Sequence, residues 1–165
     1  MPKYTNKYAK VGEAFMTQFY YLSSKCPLDT GTFGEKRVLS KKGNYIFETS
    51  LDEASITIKK IENAMITNLS YPYQYEVTTH LGDFGVNKTK LNEMDRKCLH
   101  TLLDYLKESI HKSFVIEFYT AWAEEERLEL KNRKEIVIDE LNDPEQLKIN
   151  NLEKVILYCQ KKLWE

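Results

Sequence analysis

The chain has 165 residues, 42% hydrophobic, 12% aromatic and 30% charged. That length holds a single domain, 1–165, with a core of its own, and that composition excludes extended disorder. A formal net charge of −1 excludes a global field drawing the protein to nucleic acid or an anionic membrane.

The charge is unevenly spread. Residues 1–90 hold 12 Lys/Arg and 9 Asp/Glu, whereas residues 91–165 hold 12 and 16. Most of the acidic excess lies in 113–147, with ten carboxylates and four basic residues. Cys26, Cys98 and Cys159 are widely spaced and form no C-x-x-C. They read as reduced thiols, with Cys98 and Cys159 as small buried hydrophobes. The first residues lack an apolar signal core, and no apolar run approaches the roughly 18 residues of a membrane span, so a cytoplasmic location is expected.

In chain order, Tyr8, Val11, Phe15, Phe19 and Leu22 follow helical spacing, with Thr5 or Asn6 as the cap. Ala14–Ser23 also alternates as a strand would; helix is the reading taken. Pro27–Gly34 is a loop. Glu35–Ser40 and Asn44–Thr49 flank Lys41-Lys42-Gly43 as a hairpin. Ser50-Leu-Asp-Glu53 has the form of a capping box, and Leu51, Ala54, Ile58, Ile61 and Met65 place a helix over about 51–66. The β-branched run Ile56-Thr57-Ile58 weakens that helix.

Residues 71–80 alternate as a strand, with Tyr71, Tyr73 and Tyr75 on one face. From Asn92 to about Lys112 the pattern is that of a strongly amphipathic helix, with Cys98, Leu99, Leu102, Leu103, Leu106 and Ile110 on one side. Residues 114–122 are apolar on both faces, as in a central strand. Leu128–Lys131 and Lys134–Asp139 read as an edge hairpin, and Asp143-Pro144 as a helix start. Leu152–Leu163 fits either a helix or a strand. The expected fold class is α+β, one domain with a mainly antiparallel sheet packed on two or three helices.

The search for chemistry finds little. His80 and Asp83 near a strand end are a conceivable proton-transfer pair, and a pocket beside them and Tyr75 gives the alternative reading of a small-molecule-binding or enzymatic domain. His100 and His111 lie three helical turns apart, about 16 Å, too far to share a metal. Cys98 and His100 point to different helix faces. No metal, cofactor or catalytic motif is expected, and Gly31-Thr-Phe-Gly34 is a turn, not a phosphate loop. The lysine pairs are short and lack the stacking aromatics of a nucleic-acid platform.

The acidic run is the strongest remaining feature. Glu124, Glu125 and Glu126 follow Trp122, with Glu129, Asp139 and Glu140 further on. A solvated loop is the simpler reading. The functional one is a carboxylate surface that imitates a phosphate backbone and blocks a basic, nucleic-acid-cutting partner.

Phe114-Val-Ile-Glu-Phe-Tyr-Thr-Ala-Trp122, the acidic run, Glu135-Ile-Val-Ile-Asp139, Asp143-Pro144 and Asn151-Leu-Glu-Lys-Val-Ile-Leu-Tyr158 together resemble the C-terminal part of small bacterial immunity proteins. Those proteins neutralise polymorphic or contact-dependent toxins by binding them. The resemblance covers residues 113–161, under a third of the chain. It implies an α+β fold, a cytoplasmic home, no catalysis, one dedicated toxin domain as partner, and a strand at Lys154–Tyr158. The expected function is therefore that of a binding protein with Trp122, Glu124, Glu125, Glu126, Glu129, Asp139 and Glu140 in its contact surface.

Overall fold

A computed structural model describes residues 8–11, 14–63, 66–86 and 88–160. Its strands are β1 (Tyr8–Val11), β2 (Ala14–Ser24), β3 (Gly31–Phe33), β4 (Val38–Leu39), β5 (Tyr45–Ile46), β6 (Ser55–Lys60), β7 (Tyr73–His80), β8 (Val115–Trp122), β9 (Asn132–Val137) and β10 (Glu153–Tyr158). Its helices are α1 (Ser50–Glu53), a single turn, and α2 (Glu93–Ser113). The main sheet runs β3-β6-β7-β2-β8-β10-β9, with β1 folded against the start of β2. Every pairing is antiparallel except β9 with β10. The class is thus mixed α/β, a mostly antiparallel sheet with one long helix and one short one.

Helix α2 forms where the period demanded it. The Asn92 side chain accepts from the Asp95 amide at 2.8 Å and Asp95 returns the bond to the Asn92 amide at 3.1 Å, a complete capping box. Its stripe of Cys98, Leu99, Leu102, Leu103, Leu106 and Ile110 is buried against Tyr20, Leu22, Ile56, Ile58, Tyr75, Val77, Phe118, Val155 and Leu157 of the sheet. Each large side chain sealed there contributes about 1.5–3 kcal/mol through removal from water. Phe114 ends the helix in the left-handed region at φ 65°, its amide bonded to the Ile110 carbonyl at 2.7 Å.

Several expectations are overturned, each by tertiary packing. Residues 8–22 are not a helix but the β1–β2 hairpin. β2 lies between β7 and β8 with both faces covered, Tyr20 and Leu22 on the helix side, Phe19 and Tyr21 on the other. Consecutive apolar residues on a two-sided strand imitate helical spacing. The Thr5 or Asn6 cap lies outside the described residues.

The helix expected over 51–66 shrinks to α1, and β6 takes the β-branched run. Ile56 and Ile58 face α2 while Thr57 lies on the other face, a period of two. The cap is Thr49, whose Oγ1 accepts from the Asp52 amide at 3.1 Å, one residue before the box expected at Ser50. Met65 lies outside the described residues.

Lys134–Asp139 and Leu128–Lys131 do not form a hairpin. β9 begins at Asn132 and pairs with β10 in parallel, at the edge of the sheet. Parallel neighbours need a crossover, and residues 138–152 supply it. That crossover includes short 3-10 turns at Ile138–Glu140 and Pro144–Leu147, the second capped by Asp143, and it buries Ile138, Leu141, Leu147 and Ile149 on the helix side. The ambiguous segment at 152–163 is strand β10 through Tyr158; Leu163 lies outside the described residues. β8 is central, as its two apolar faces required.

Hairpin β4–β5 stands apart as a two-stranded sheet, and among the described residues Ile61, Ile66, Leu69, Leu130 and Leu152 pack over the second face of the main sheet.

Candidate functional site: the acidic turn after the central strand

β8 ends at Trp122 and the chain turns back through 123–131 into β9. The turn is closed by the Glu125 amide on the Trp122 carbonyl at 3.0 Å and the Leu128 amide on the Glu125 carbonyl at 2.9 Å. Glu124 occupies the left-handed region at φ 70°.

The rest of the fold pins this turn from three sides. Glu126 Oε1 accepts from the Tyr21 hydroxyl at 3.0 Å. Burial first, and then the neighbouring Glu126 charge, push the Tyr21 phenol well above its ordinary value. Glu125 Oε1 accepts from Asn151 Nδ2 at 3.2 Å, and Asn151 Oδ1 accepts from the Trp122 amide at 2.8 Å. Asn68 Nδ2 donates to the Leu128 carbonyl at 2.8 Å and to the Tyr119 hydroxyl at 2.9 Å. Glu124, Arg127, Leu128 and Glu129 remain exposed on the outer side.

The structure does not gather the whole acidic segment. Asp139 and Glu140 are exposed in the 3-10 turn after β9. The five steps along β9 carry them about 17 Å from the turn, at about 3.3 Å per residue. Trp122 alternates with Ala121 and so belongs to the helix-side face, opposite Tyr21 and Tyr119. Glu124, Glu125, Glu126 and Glu129 form one group, Asp139 and Glu140 another.

His80, Asp83 and Tyr75 do not converge. His80 Nε2 meets Glu53 Oε2 at 2.7 Å on the surface. Asp83 Oδ1 accepts from the Tyr20 hydroxyl at 3.2 Å and the Phe84 amide at 2.6 Å. Tyr75 is buried in the core, its hydroxyl accepting from the Leu28 amide at 2.8 Å. His100 sits 3.7 Å from Asp104. His111 Nδ1 lies 3.7 Å from Cys159 Sγ, and Cys159 is only half-buried. Among the described residues, no three His, Cys, Asp or Glu side chains form a metal-holding group.

Sequence reasoning missed a buried polar cluster on the second face. Glu117 takes the Lys154 ammonium at 2.5 Å, the Ser23 hydroxyl at 2.7 Å and the Ser70 amide at 2.6 Å. Lys154 also donates to the Asn68 carbonyl at 2.9 Å. The available signal was Glu117 inside the apolar run of β8 and Lys154 ahead of the apolar run of β10. Such a filled pair has no valence left for a substrate; it fixes segment 68–70, and through Asn68 it holds the acidic turn.

No protein-family model, curated protein or solved structure matches the chain. Its own geometry carries the functional reading.

Proposed function

We propose that this is a non-enzymatic binding protein, an immunity protein that neutralises one cognate bacterial toxin domain by direct contact. The turn 123–131 is its contact surface, and the complement is a basic surface such as that of a nuclease. The observation that carries this reading is a run of carboxylates on a turn already held by Tyr21, Asn151 and Asn68. A surface ordered before binding loses little conformational entropy on association, which raises affinity. Glu124 and Glu129 face solvent and steer a cationic partner, while Leu128 offers an apolar centre 50% exposed. Asp139 and Glu140, at the far end of β9, reach only a partner that spans that edge strand. The resemblance of residues 113–161 to immunity proteins points the same way.

The test begins with a tagged pull-down from the native host and identification of stoichiometric partners. The expected partner is a toxic domain with a basic surface, inhibited one to one by the purified chain. Reversing Glu124 and Glu129 together weakens that inhibition and leaves the unfolding midpoint in place. A toxic partner equally inhibited by the reversed chain removes the turn from the contact; a host proteome that yields no toxic partner removes the immunity reading.

A further inference from the structure

The cysteines Cys26, Cys98 and Cys159 stand in different surroundings. Cys98 is sealed in the core, where its thiol donates to the carbonyls of Ser55 at 3.6 Å and His80 at 3.9 Å. Cys26 is half-buried after β2, and among the described residues no base touches its sulfur. Cys159 is half-buried too, but its Sγ lies 3.7 Å from Nδ1 of His111, an exposed side chain in the last turn of α2. A sulfur nucleophile with an imidazole in contact has an acceptor for its proton at the moment of attack.

The fold holds this pair from both sides. Phe114, in the left-handed region, turns the chain from α2 directly into β8, so the last helical turn lies over the start of that strand. β10 runs antiparallel to β8 and therefore ends beside the same start. The Cys159 amide donates to the Phe114 carbonyl at 2.9 Å and extends the ladder just past Tyr158. Cys159 packs against the helix-side core, which turns its sulfur toward α2. Two residues 48 apart in sequence are thus held together by a helix end and a strand end. Such placement is firmer than two loops would give.

We propose that Cys159 and His111 form a site of reversible thiolation whose substrate class is a small disulfide, such as oxidised glutathione. Cys159 Sγ attacks one sulfur of the disulfide while its proton passes to His111 Nδ1. The reagent's S–S bond breaks, and the departing thiolate takes that proton and leaves as a thiol. The product is a mixed disulfide on Cys159. Its sulfur is oxidised, the released sulfur is reduced, and no further reactant is needed. The site lies where β8 begins, whereas the acidic turn follows its other end, about 23 Å away along the strand. The thiolation site is therefore independent of the toxin-binding reading.

The experiment is a timed reaction of the reduced full chain with oxidised glutathione near neutral pH, with the free thiols then alkylated and each cysteine followed by peptide mass spectrometry. Cys159 is expected to take up glutathione at least about tenfold faster than Cys26, a conservative share of what a positioned base contributes. Cys98 stays unmodified, and dithiothreitol returns the parent mass. His111→Gln keeps a polar side chain of similar reach but no base. It brings the Cys159 rate down to that of Cys26 and leaves the Cys26 rate and the protection of Cys98 as they were. A His111→Gln chain whose Cys159 reacts as fast as the parent's overturns the proposal. So does a parent chain in which Cys26 reacts as fast as Cys159, a comparison that stands whatever the variant does to the fold. No partner protein is involved, so either proposal can fail without the other.

Discussion

Lys154 of β10 reaches diagonally to Glu117 of β8 and closes an ion pair of 2.5 Å with both side chains nearly sealed from water. Ser23, directly opposite Glu117 in register, and Ser70 fill the remaining carboxylate positions. Removing one charge from such a pair leaves the other buried without compensation. Lys154→Met is expected to cost about 3–5 kcal/mol, the usual penalty for a stranded buried charge. Lys154→Met combined with Glu117→Leu should cost less than the sum of the two single changes. Urea unfolding of the three variants checks this; additive losses would mean that the pair is not coupled.

Phe114 caps α2 in the left-handed region while its side chain is 64% exposed. A side chain at that φ costs about 1 kcal/mol relative to glycine, and an exposed ring contributes little in return. Phe114→Gly is expected to raise stability by about 0.5–1 kcal/mol, read as a higher urea midpoint at unchanged slope. A lower midpoint would show that the ring packs on something essential.

Asp83 gives a pH dependence of unusual sign. Burial pushes its carboxyl above the ordinary 3.8, against the opposing pull of the Phe84 amide and Lys88. Between 3.8 and that raised value the folded chain binds more protons than the unfolded chain. The resulting destabilisation is absent below 3.8, sets in as pH rises through this window, and is complete above it. Asp83→Asn keeps an oxygen for the Tyr20 hydroxyl and the Phe84 amide. The variant should therefore be more stable than the parent at neutral pH, with the gain vanishing in acid. Thermal unfolding at several pH values checks this, and a gain that persists below the window would contradict it.

Cys98 lies buried on the sheet-facing side of α2, and burial, with the nearby Asp95 charge, pushes its thiol up to about 12. Thiolate is the reacting form, so the native protein should release two of its three thiols to a disulfide reagent near pH 8, Cys26 and Cys159. The third should appear on adding denaturant. A Cys98→Ala variant that still shows two fast thiols and lacks the slow one confirms the assignment; one that loses a fast thiol refutes it.

Local sequence determined the elements whose cause is local. α2 was legible because its apolar stripe, its Asn92 cap and its length all agree over one continuous segment. β8 was legible as a central strand because both of its faces are apolar. The cap at Asp143 and the turn at Lys41-Lys42-Gly43 were legible from residue chemistry alone, as was the dense acidic run after Trp122. Tertiary structure decided the rest. Residues 14–24 and 55–60 became strands because sheet neighbours lie on both sides, and no local period records a neighbour. The parallel pairing of β9 with β10 depends on a crossover that buries Ile138, Leu141, Leu147 and Ile149 under the helix side. The split of the acidic segment into two groups follows from β9, which sets Glu129 and Asp139 beyond its opposite ends. Glu117 and Lys154, 37 residues apart in sequence, become a pair only when β8 and β10 align, because register brings them within reach.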